Sequence, residues 1–287
     1  MEITVSEQKV FHVRPVLSPE QARERAWDHK MAAFGMFSRL LLRPKGEEIK
    51  IASMQTRFDP AWHVIAHKRL VFHRTREYRV PVADATVRRV TIDGNDRPVT
   101  PGSPPAFTLR GVEHCEEDVR AETLVDGVKG AEMRAPAIPQ APHEEILDLA
   151  AFAPPDAVVV PPEVKASTVV QRVIHQLMTA YEADQIEEEA IEIEQLHMLY
   201  CPVYVFQYVW EAKGKEAVVE LDGVSGEIRA SDWDFHRPMQ QIRRMFTREM
   251  LFDLGAETAG LVVPGAGIVF KIGKIVTDHT RRPHKPG

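Results

Sequence analysis

Cysteine is scarce in this chain of 287 residues, which has only Cys115 and Cys201. Two cysteines form at most one disulfide, so a disulfide framework cannot organise a protein of this length. Such scarcity is typical of a reducing compartment. The opening residues, MEITVSEQKVFHV, also lack a basic start followed by an apolar stretch, which argues against a secretory signal there. The sequence therefore predicts a cytoplasmic protein.

Long hydrophobic runs and a strong excess of one charge are also missing. The longest apolar stretch, Ala259 to Phe270, has about half of the roughly 20 residues that a membrane-spanning helix needs. Lys and Arg number 36 and Asp and Glu number 42, so the formal net charge is only -6. That balance excludes a protein whose whole surface is adapted to nucleic acid, although a local basic face remains compatible with it.

Motifs for catalysis or for cofactor binding are not recognised. The chain has no glycine-rich phosphate loop and no Gly-x-Ser-x-Gly elbow. His63 and His67 would share one face of a helix, but on a strand they lie about 13 Å apart, too far for one zinc ion. The remaining histidines and the cysteines have no zinc-site spacing. We therefore expect no metal, no cofactor, no small-molecule substrate and no catalytic residues.

What the chain does contain is an internal repeat. The pattern of IKIASMQTRFDPAWHV, residues 49–64, returns as IEIEQLHMLYCPVYVF, residues 191–206, without a gap. Seven chemically similar pairs share one offset of 142: Ile49 and Ile191, Ile51 and Ile193, Met54 and Leu196, Phe58 and Tyr200, Pro60 and Pro202, Trp62 and Tyr204, Val64 and Phe206. A proline cannot donate to a strand ladder, so Pro60 and Pro202 predict a bend, a bulge or an edge.

A helix is predicted before each copy of the pattern. Ser18 suits an N-cap and Pro19 the first helical position, with Trp27, Met31 and Phe34 at roughly helical spacing after them. The second helix has a clear apolar stripe, formed by Val169, Val170, Val173, Ile174, Leu177, Met178 and Tyr181. After each helix the apolar period changes to two, which indicates strands.

The sequence thus predicts an α+β fold. It consists of two tandem units, each an amphipathic helix packed on an antiparallel sheet, and a C-terminal helical appendage. The predicted segments are a first unit at 1–130, a proline-rich connector at 131–163, a second unit at 164–232, and an amphipathic helix, glycine-rich segment and basic tail at 233–287. The predicted turns lie near His73 to Arg76, at Asp93-Gly94, at Lys213-Gly214 and at Asp222-Gly223.

Residues 164–228 resemble a PepSY-like module. The shared features are a helix, a strand with alternating aromatic residues, a Gly-Lys hairpin and a final Asp-x-x-Ser-Gly-Glu turn, here Asp222 to Glu227. The resemblance implies a helix-and-sheet fold. The family is usually associated with secreted or envelope proteins and with binding or inhibiting proteases, and these properties are expectations from the resemblance alone.

Two segments of opposite charge are the candidate interaction surface. Between residues 67 and 89 seven cations stand against two acids, with Phe72 and Tyr78 among them, whereas residues 182–194 are acidic without one Lys or Arg. The interaction residues predicted from these segments are Lys68, Arg69, Arg74, Arg76, Arg79, Glu187, Glu188, Glu189, Glu192 and Glu194. We expect a non-catalytic binding or scaffold protein that contacts a protein partner or another copy of itself.

Two alternatives to protein binding stay open from the sequence. Basic residues interleaved with aromatics can follow a phosphate backbone, so the 67–89 region is compatible with nucleic-acid binding. Residues 238–276 combine an apolar helix face with Lys271 and Lys274, a composition compatible with attachment to a membrane surface.

Overall fold

The computed structural model describes residues 1–34, 48–148, 152, 157–231, 233 and 235, and the backbone of 269–272. Its helices are α1 (Pro19–His29), α2 (Ala137–Gln140) and α3 (Ala166–Leu177). Its strands are β1 (Glu2–Val5), β2 (Gln8–Val13), β3 (Ile49–Pro81), β4 (Arg89–Ile92), β5 (Asn95–Pro98), β6 (Ala106–Asp126), β7 (His143–Glu145), β8 (Ala157–Val159), β9 (Gln185–Trp210), β10 (Lys215–Asp222), β11 (Ile228–Ser231) and β12 (Val269–Ile272). Ten of these strands form one sheet, and β4 and β5 form a second sheet.

The two copies of the repeated pattern pair with each other at the centre of the large sheet. Strands β3 and β9 run antiparallel from Ile49 opposite Trp210 to His73 opposite Gln185. Both strands are rich in β-branched and aromatic residues that suit a pleated, half-buried surface. Asp59 lies opposite Cys201, and the matched positions of the two copies lie symmetrically on either side of that pair.

The outer edges of β3 and β9 are occupied in the same way. Strand β8 runs parallel to β3 up to Phe58, and β6 runs antiparallel to it from Ala61 onward. Strand β2 runs parallel to β9 up to Tyr200, and β10 runs antiparallel to it from Val203 onward. Pro60 lies between the part of β3 that pairs with β8 and the part that pairs with β6, and Pro202 lies between the parts of β9 that pair with β2 and with β10. No strand at that point needs the N–H group that proline lacks.

A glycine turn closes against each proline. The N–H of Gly127 donates to the carbonyl oxygen of Pro60 at 2.8 Å, and the Asp126 Oδ1 atom accepts from the next two turn N–H groups, each at 2.8 Å. The second turn has the corresponding bonds, from Gly223 to Pro202 and from Val224 and Ser225 to Asp222. The chain approaches so closely that a Cβ on Gly127 would lie 2.8 Å from the Pro60 oxygen.

Helices α1 and α3 are each preceded by residues that bond to a turn and to a strand distant in the sequence. The chain before α1 donates from Val16 and Leu17 to the oxygen of Gly223, and the Tyr204 hydroxyl donates to the Leu17 oxygen at 2.8 Å. Before α3, the N–H groups of Glu163 and Val164 donate to the oxygen of Gly127, while the Trp62 indole N–H donates to Val164 at 2.8 Å. Helix α1 therefore covers β9 and β10, although it precedes β3 in the chain.

The predicted fold class is wrong. The described residues form a mostly β structure in which the strands of both proposed units join one mixed sheet with parallel and antiparallel pairs. Alternation of apolar and polar residues indicates strands but does not indicate which strands pair. In the structure β3 pairs with β9. A tandem pair of separate antiparallel sheets is excluded by that pairing.

The helices cover the sheet unequally. The apolar stripe of α3 is buried from Val169 to Leu177, as predicted, and packs on a core that contains Trp62 and Tyr200. Helix α1 has the predicted Ser18 cap, in which the Gln21 N–H donates to the Ser18 hydroxyl and the Ser18 N–H donates to the Gln21 side-chain oxygen, but it buries only Ala22 and Ala26 along its length. Trp27, one of the apolar residues at the predicted helical spacing, is 46% exposed. A second core beneath α1 includes Phe206, Tyr208 and Trp210.

Three of the predicted turns lie where expected and one does not. Asp93-Gly94 joins β4 to β5 with positive φ at both residues, and Gly214 ends the turn between β9 and β10 at φ 60°. The Asp222-Gly223 turn follows β10. No turn occurs at residues 73–76, because β3 continues unbroken to Pro81. The first half does contain a counterpart of the Asp222 turn, but it follows β6 at Asp126.

The predicted C-terminal helix and basic tail lie outside the described residues. Of residues 238–276, the structure describes only the backbone of β12, which pairs in parallel with β1. Among the described residues, no helix has both the length and the apolar character needed to cross a membrane.

We expect Gly127→Ala to lower the free energy of unfolding by about 1–3 kcal/mol, because the new Cβ would overlap the Pro60 carbonyl. Gly111→Ala is the matched control: its nearest neighbour is an atom of the exposed Tyr78 ring at 3.2 Å, which can move aside. Denaturant unfolding of both variants measures the difference. Equal losses for the two substitutions would contradict the proposed close packing of turn and proline.

Candidate interaction face and arm

The predicted basic segment forms the middle strand of a three-stranded region. Strand β6 lies on one side of β3 and β9 lies on the other. Both neighbours are acidic along this region, so carboxylates approach the cations of β3 from two directions. We call this arrangement the charge ladder; its contacts join Lys68, Arg69 and Arg74 to residues of the two flanking strands.

Lys68 and Arg69 lie within the charge ladder on opposite faces of the sheet. The Lys68 side chain is 5% exposed, and its Nζ atom donates to Glu117 at 2.8 Å and to the Thr179 hydroxyl at 3.2 Å. Lys68 is therefore a buried structural cation and not a surface one. Arg69 is half exposed and lies between Glu116 at 3.7 Å and Glu188 at 3.5 Å.

The other three predicted arginines lie beyond the end of β9. Arg74 forms an ion pair with Glu113 on β6, and Arg76 pairs with Glu182 at 2.7 Å. The guanidinium group of Arg79 packs against Gly102, 3.2 Å from where a Cβ of that glycine would lie. The structure thus places Lys68, Arg69 and Arg74 in the charge ladder, with Lys68 buried, and Arg76 and Arg79 farther along β3, beyond its last pair with β9.

The predicted glutamates lie along the first half of β9. Glu187 lies 3.4 Å from the Nε2 atom of His73, and Glu194 pairs with Arg120 at 2.9 Å. Glu189 accepts from the Tyr181 hydroxyl at 2.8 Å. Glu192 lies opposite His67 on β3. Only Glu188 meets one of the five predicted cations directly, through Arg69.

Sequence reasoning missed the second acidic strand. Residues 113–122 contain five acids against one arginine, and these acids provide most of the carboxylate partners of residues 63–76 of β3: Glu113, Glu116, Glu117, Asp118 and Glu122. The excess of acidic residues was visible in the sequence of this segment, EHCEEDVRAE. It was overlooked because the predicted turn near residue 75 left no long strand for this segment to pair with.

His63 and His197 lie side by side next to the charge ladder, and we call them the histidine row. His63 lies directly opposite His197, and its two ring nitrogens contact Glu122 at 2.8 Å and Gln195 at 2.7 Å. Burial, together with the neighbouring His63 and His143, lowers the pKa of His197 to about 4. His197 is therefore neutral near pH 7 and packs its ring against Phe11, with centroids 4.5 Å apart.

A buried ionic cluster lies on the other side of the Asp59 pair. Arg57 donates to both oxygens of Asp59 at 2.6 and 2.7 Å, reaches Glu220 on β10 at 2.8 Å, and lies 4.5 Å from the centre of the Trp233 ring. Burial raises the pKa of Asp59. Burial also opposes the ionisation of Glu220, but hydrogen bonds from Ser231 and the charge of Arg57 outweigh it and lower the Glu220 pKa. The cluster ties β3 to β10 across β9.

A hairpin formed by β3 and β6 projects beyond the start of β9. Strand β9 begins opposite His73, so beyond that point the described part of the large sheet consists of β3 and β6 alone. We call residues 74–113 the arm; its paired strands extend about 25 Å and end in a tip that contains β4 and β5. Tyr78 on one face is 43% exposed, and Val112 on the other is 59% exposed.

The described residues contain no group of three or more His, Cys, Asp or Glu side chains arranged to hold a metal ion. Comparison of the whole chain with protein-family models, with curated proteins and with solved structures finds no match in any of the three. The PepSY-like resemblance of residues 164–228 stays a prediction.

The lowered pKa of His197 predicts a pH dependence of stability. Its folded pKa lies below the ordinary value of 6.5, so the unfolded chain binds the proton more tightly, and stability falls as the pH drops from about 6.5 to about 4. The slope stays below about 1.4 kcal/mol per pH unit, since water reaches part of the ring. Unfolding of His197→Gln should show a shallower slope in this window, whereas the exposed control His175→Gln should keep the wild-type slope. Identical slopes for all three proteins would contradict a buried neutral His197.

Proposed function

We propose that this is a non-catalytic binding protein that contacts a protein partner through the arm. The observation that carries the proposal is the arm itself, a two-stranded ribbon that extends beyond the third strand and exposes Tyr78 and Val112 on opposite faces. Two-stranded ribbons gain little stability by themselves, so a long one needs another source of order. A partner that covers both faces would supply it.

Contacts at Tyr78 and at the tip hold these parts of the arm in place before a partner binds. The Tyr78 hydroxyl donates to Glu113 at 2.6 Å, and the ring lies over Gly111, where no side chain competes for the space. At the tip, Ala106 and Phe107 are buried. A preordered arm loses less conformational entropy on binding than a flexible loop of the same length.

Charge indicates what kind of surface the arm fits. Residues 74–113 contain seven arginines and five acids, whereas the whole chain has a net charge of -6. A basic arm on an acidic body fits an acidic protein surface, and a second copy of this chain offers one. The unpaired edges of a β-ribbon can also add to a partner sheet through main-chain hydrogen bonds.

The pairing of the β3 cations gives less support to nucleic-acid binding through residues 67–89. Lys68, Arg69 and Arg74 already contact carboxylates of the same chain, and a phosphate backbone would have to displace them. Membrane attachment through residues 238–276 depends on residues that the structure does not describe, apart from the backbone of β12. A cytoplasmic location remains part of the proposal, supported by the free thiols of Cys115 and Cys201.

The test removes the arm without disturbing the ladder. Replacing residues 75–112 by Asn-Gly removes Tyr78 and Val112 and joins the paired residues Arg74 and Glu113 through a two-residue hairpin. We expect light scattering to show an assembly larger than the 32.4 kDa chain for the wild type and a smaller one for the shortened protein. If the partner is another protein, it should co-purify from the native cell with the wild type only and should bind again after separate purification.

Point variants provide matched controls for that experiment. Val112→Glu introduces a charge on the exposed arm, whereas Val119→Glu introduces the same charge at a half-exposed position of β6 within the ladder, opposite Lys68. We expect the first substitution to weaken association by at least about tenfold and the second to leave it unchanged. Equal masses and equal co-purifying proteins for wild type and shortened protein would refute binding by the arm. Salt-sensitive retention on a polynucleotide column, lost when Arg74, Arg76 and Arg79 are reversed, would favour nucleic acid instead.

A further inference from the structure

The face of the charge ladder that points away from α3 is exposed to solvent. Val64 and Ala66 of β3 pack with α3, so the odd-numbered residues of this part of β3 project from the opposite face. Residues of β6 that pair with them share that face, among them Glu116, Asp118 and Glu122. The side chains of these three acids are each at least 61% exposed. We call the surface formed by the odd-numbered residues 65–71 of β3, with their neighbours on β6 and β9, the open face.

Acidic residues dominate the open face. They are Glu116, Asp118 and Glu122 of β6 and Glu188, Glu192 and Glu194 of β9. The arginines that contact them on this face are Arg69 and Arg120, which are fewer than the acids. The neighbouring His63 and His67 add positive charge only when they are protonated. The open face therefore favours a basic partner.

The arm continues the same side of the sheet with basic residues. Arg79 of β3 and Arg110 of β6 project from this side, because each lies an even number of positions from members of the open face on its own strand. Both are exposed, and neither forms an ion pair among the described residues. Val112 lies beside them and is 59% exposed. The arm thus offers two unpaired cations and an apolar side chain on the side that the open face occupies in the ladder.

The boundary between the open face and the arm is the pair His73 and His114. These residues lie opposite each other on β3 and β6, and β9 begins opposite His73. Two copies of the chain can stack face to face about a two-fold axis that passes over this boundary, parallel to the sheet and perpendicular to its strands. The strands of the two copies then run in opposite directions, and each arm lies over the open face of the other copy.

This axis brings opposite charges together. Arg110 lies four positions from His114 toward the arm tip, and Asp118 lies four positions from it on the ladder side, so Arg110 of each copy faces Asp118 of the other. On β3, Glu77 and Arg69 are related in the same way. Stacked sheets lie about 10 Å apart, a distance that long side chains projecting from both sheets can bridge. The sequence is therefore complementary to itself about this axis.

We propose that this chain forms a closed dimer in which each arm lies across the open face of the other copy. The proposal rests on the proposed function, since it names a second copy of the chain as the partner of the arm. Both arms engage together, so assembly stops at two chains. The contact also covers Val112, which is exposed in the single chain.

The experiment measures the mass of the full chain by light scattering and its dimer dissociation constant by analytical ultracentrifugation. We expect the wild type to form a species of twice the 32.4 kDa chain mass, with a dissociation constant that rises with salt. Asp118→Arg and Arg110→Asp should each weaken the dimer by at least about tenfold, because each places like charges opposite each other. The double variant Arg110→Asp/Asp118→Arg exchanges the two charges and should recover most of the wild-type affinity.

The matched control is Glu24→Arg, which reverses an exposed charge on α1 and should leave the dimer unchanged. Unfolding curves confirm that all variants are folded. A dimer that withstands both single substitutions, or a double variant that does not recover, would overturn the open face as the docking surface. A wild type that is monomeric alone but holds another protein through the arm would overturn the dimer and leave the proposed function standing. Unchanged mass and unchanged partners after removal of the arm would refute both.

Discussion

The antiparallel pairing of β3 with β9 is the interaction on which the rest of the structure depends. It joins residues from two distant parts of the chain over more than twenty pairs, centred on Asp59 and Cys201. Every other strand of the large sheet lies beside one of these two strands or beside a strand that does. The arm, the ladder and the histidine row are positioned by the same pairing, because β3 contributes to all three.

Helices α1 and α3 support the β3–β9 pairing, because each is held by a turn that lies far from it in the sequence. Helix α1 is anchored to the Gly223 turn, although β3 follows it in sequence, and the chain before α3 is anchored to the Gly127 turn. Helix α1, from the N-terminal part of the chain, therefore packs on β9 and β10, and helix α3, from the later part, packs on a core that includes Trp62 of β3. These contacts between residues distant in the sequence agree with the fold that the strand pairing sets, and such agreement is characteristic of sequences with one well-defined structure.

The sequence predicted local structure better than it predicted pairing. The Ser18 cap, the α3 stripe and the glycine turns follow from backbone preferences that act within a few residues. The union of the repeats in one sheet depends on contacts between residues about 140 positions apart, which no local pattern encodes. The same limit hid the Arg74–Glu113 ion pair, since residues 39 apart become neighbours only through the register of β3 and β6.

The charge ladder shows why the sequence identified only some of the residues that pair with the β3 cations. Cations on β3 were matched with acids on β9, and the Arg69–Glu188 contact joins the two sets, but β6 takes most of the pairs. Strand β3 has one neighbouring strand on each side, and composition alone does not reveal which of the two provides the carboxylate for a given cation. The arm was missed because the turn predicted near residue 75 ended β3 before the arm begins.

Disulfide trapping tests the β3–β9 register most directly. In a background with Cys115→Ser and Cys201→Ala, His63→Cys/His197→Cys places two thiols on directly opposite residues, close enough to bond. The account predicts rapid formation of this disulfide under mild oxidation. The control His67→Cys/His197→Cys, displaced by about 13 Å along the strands, should not form one within the same molecule. A disulfide in the control and none in the opposed pair would contradict the proposed sheet.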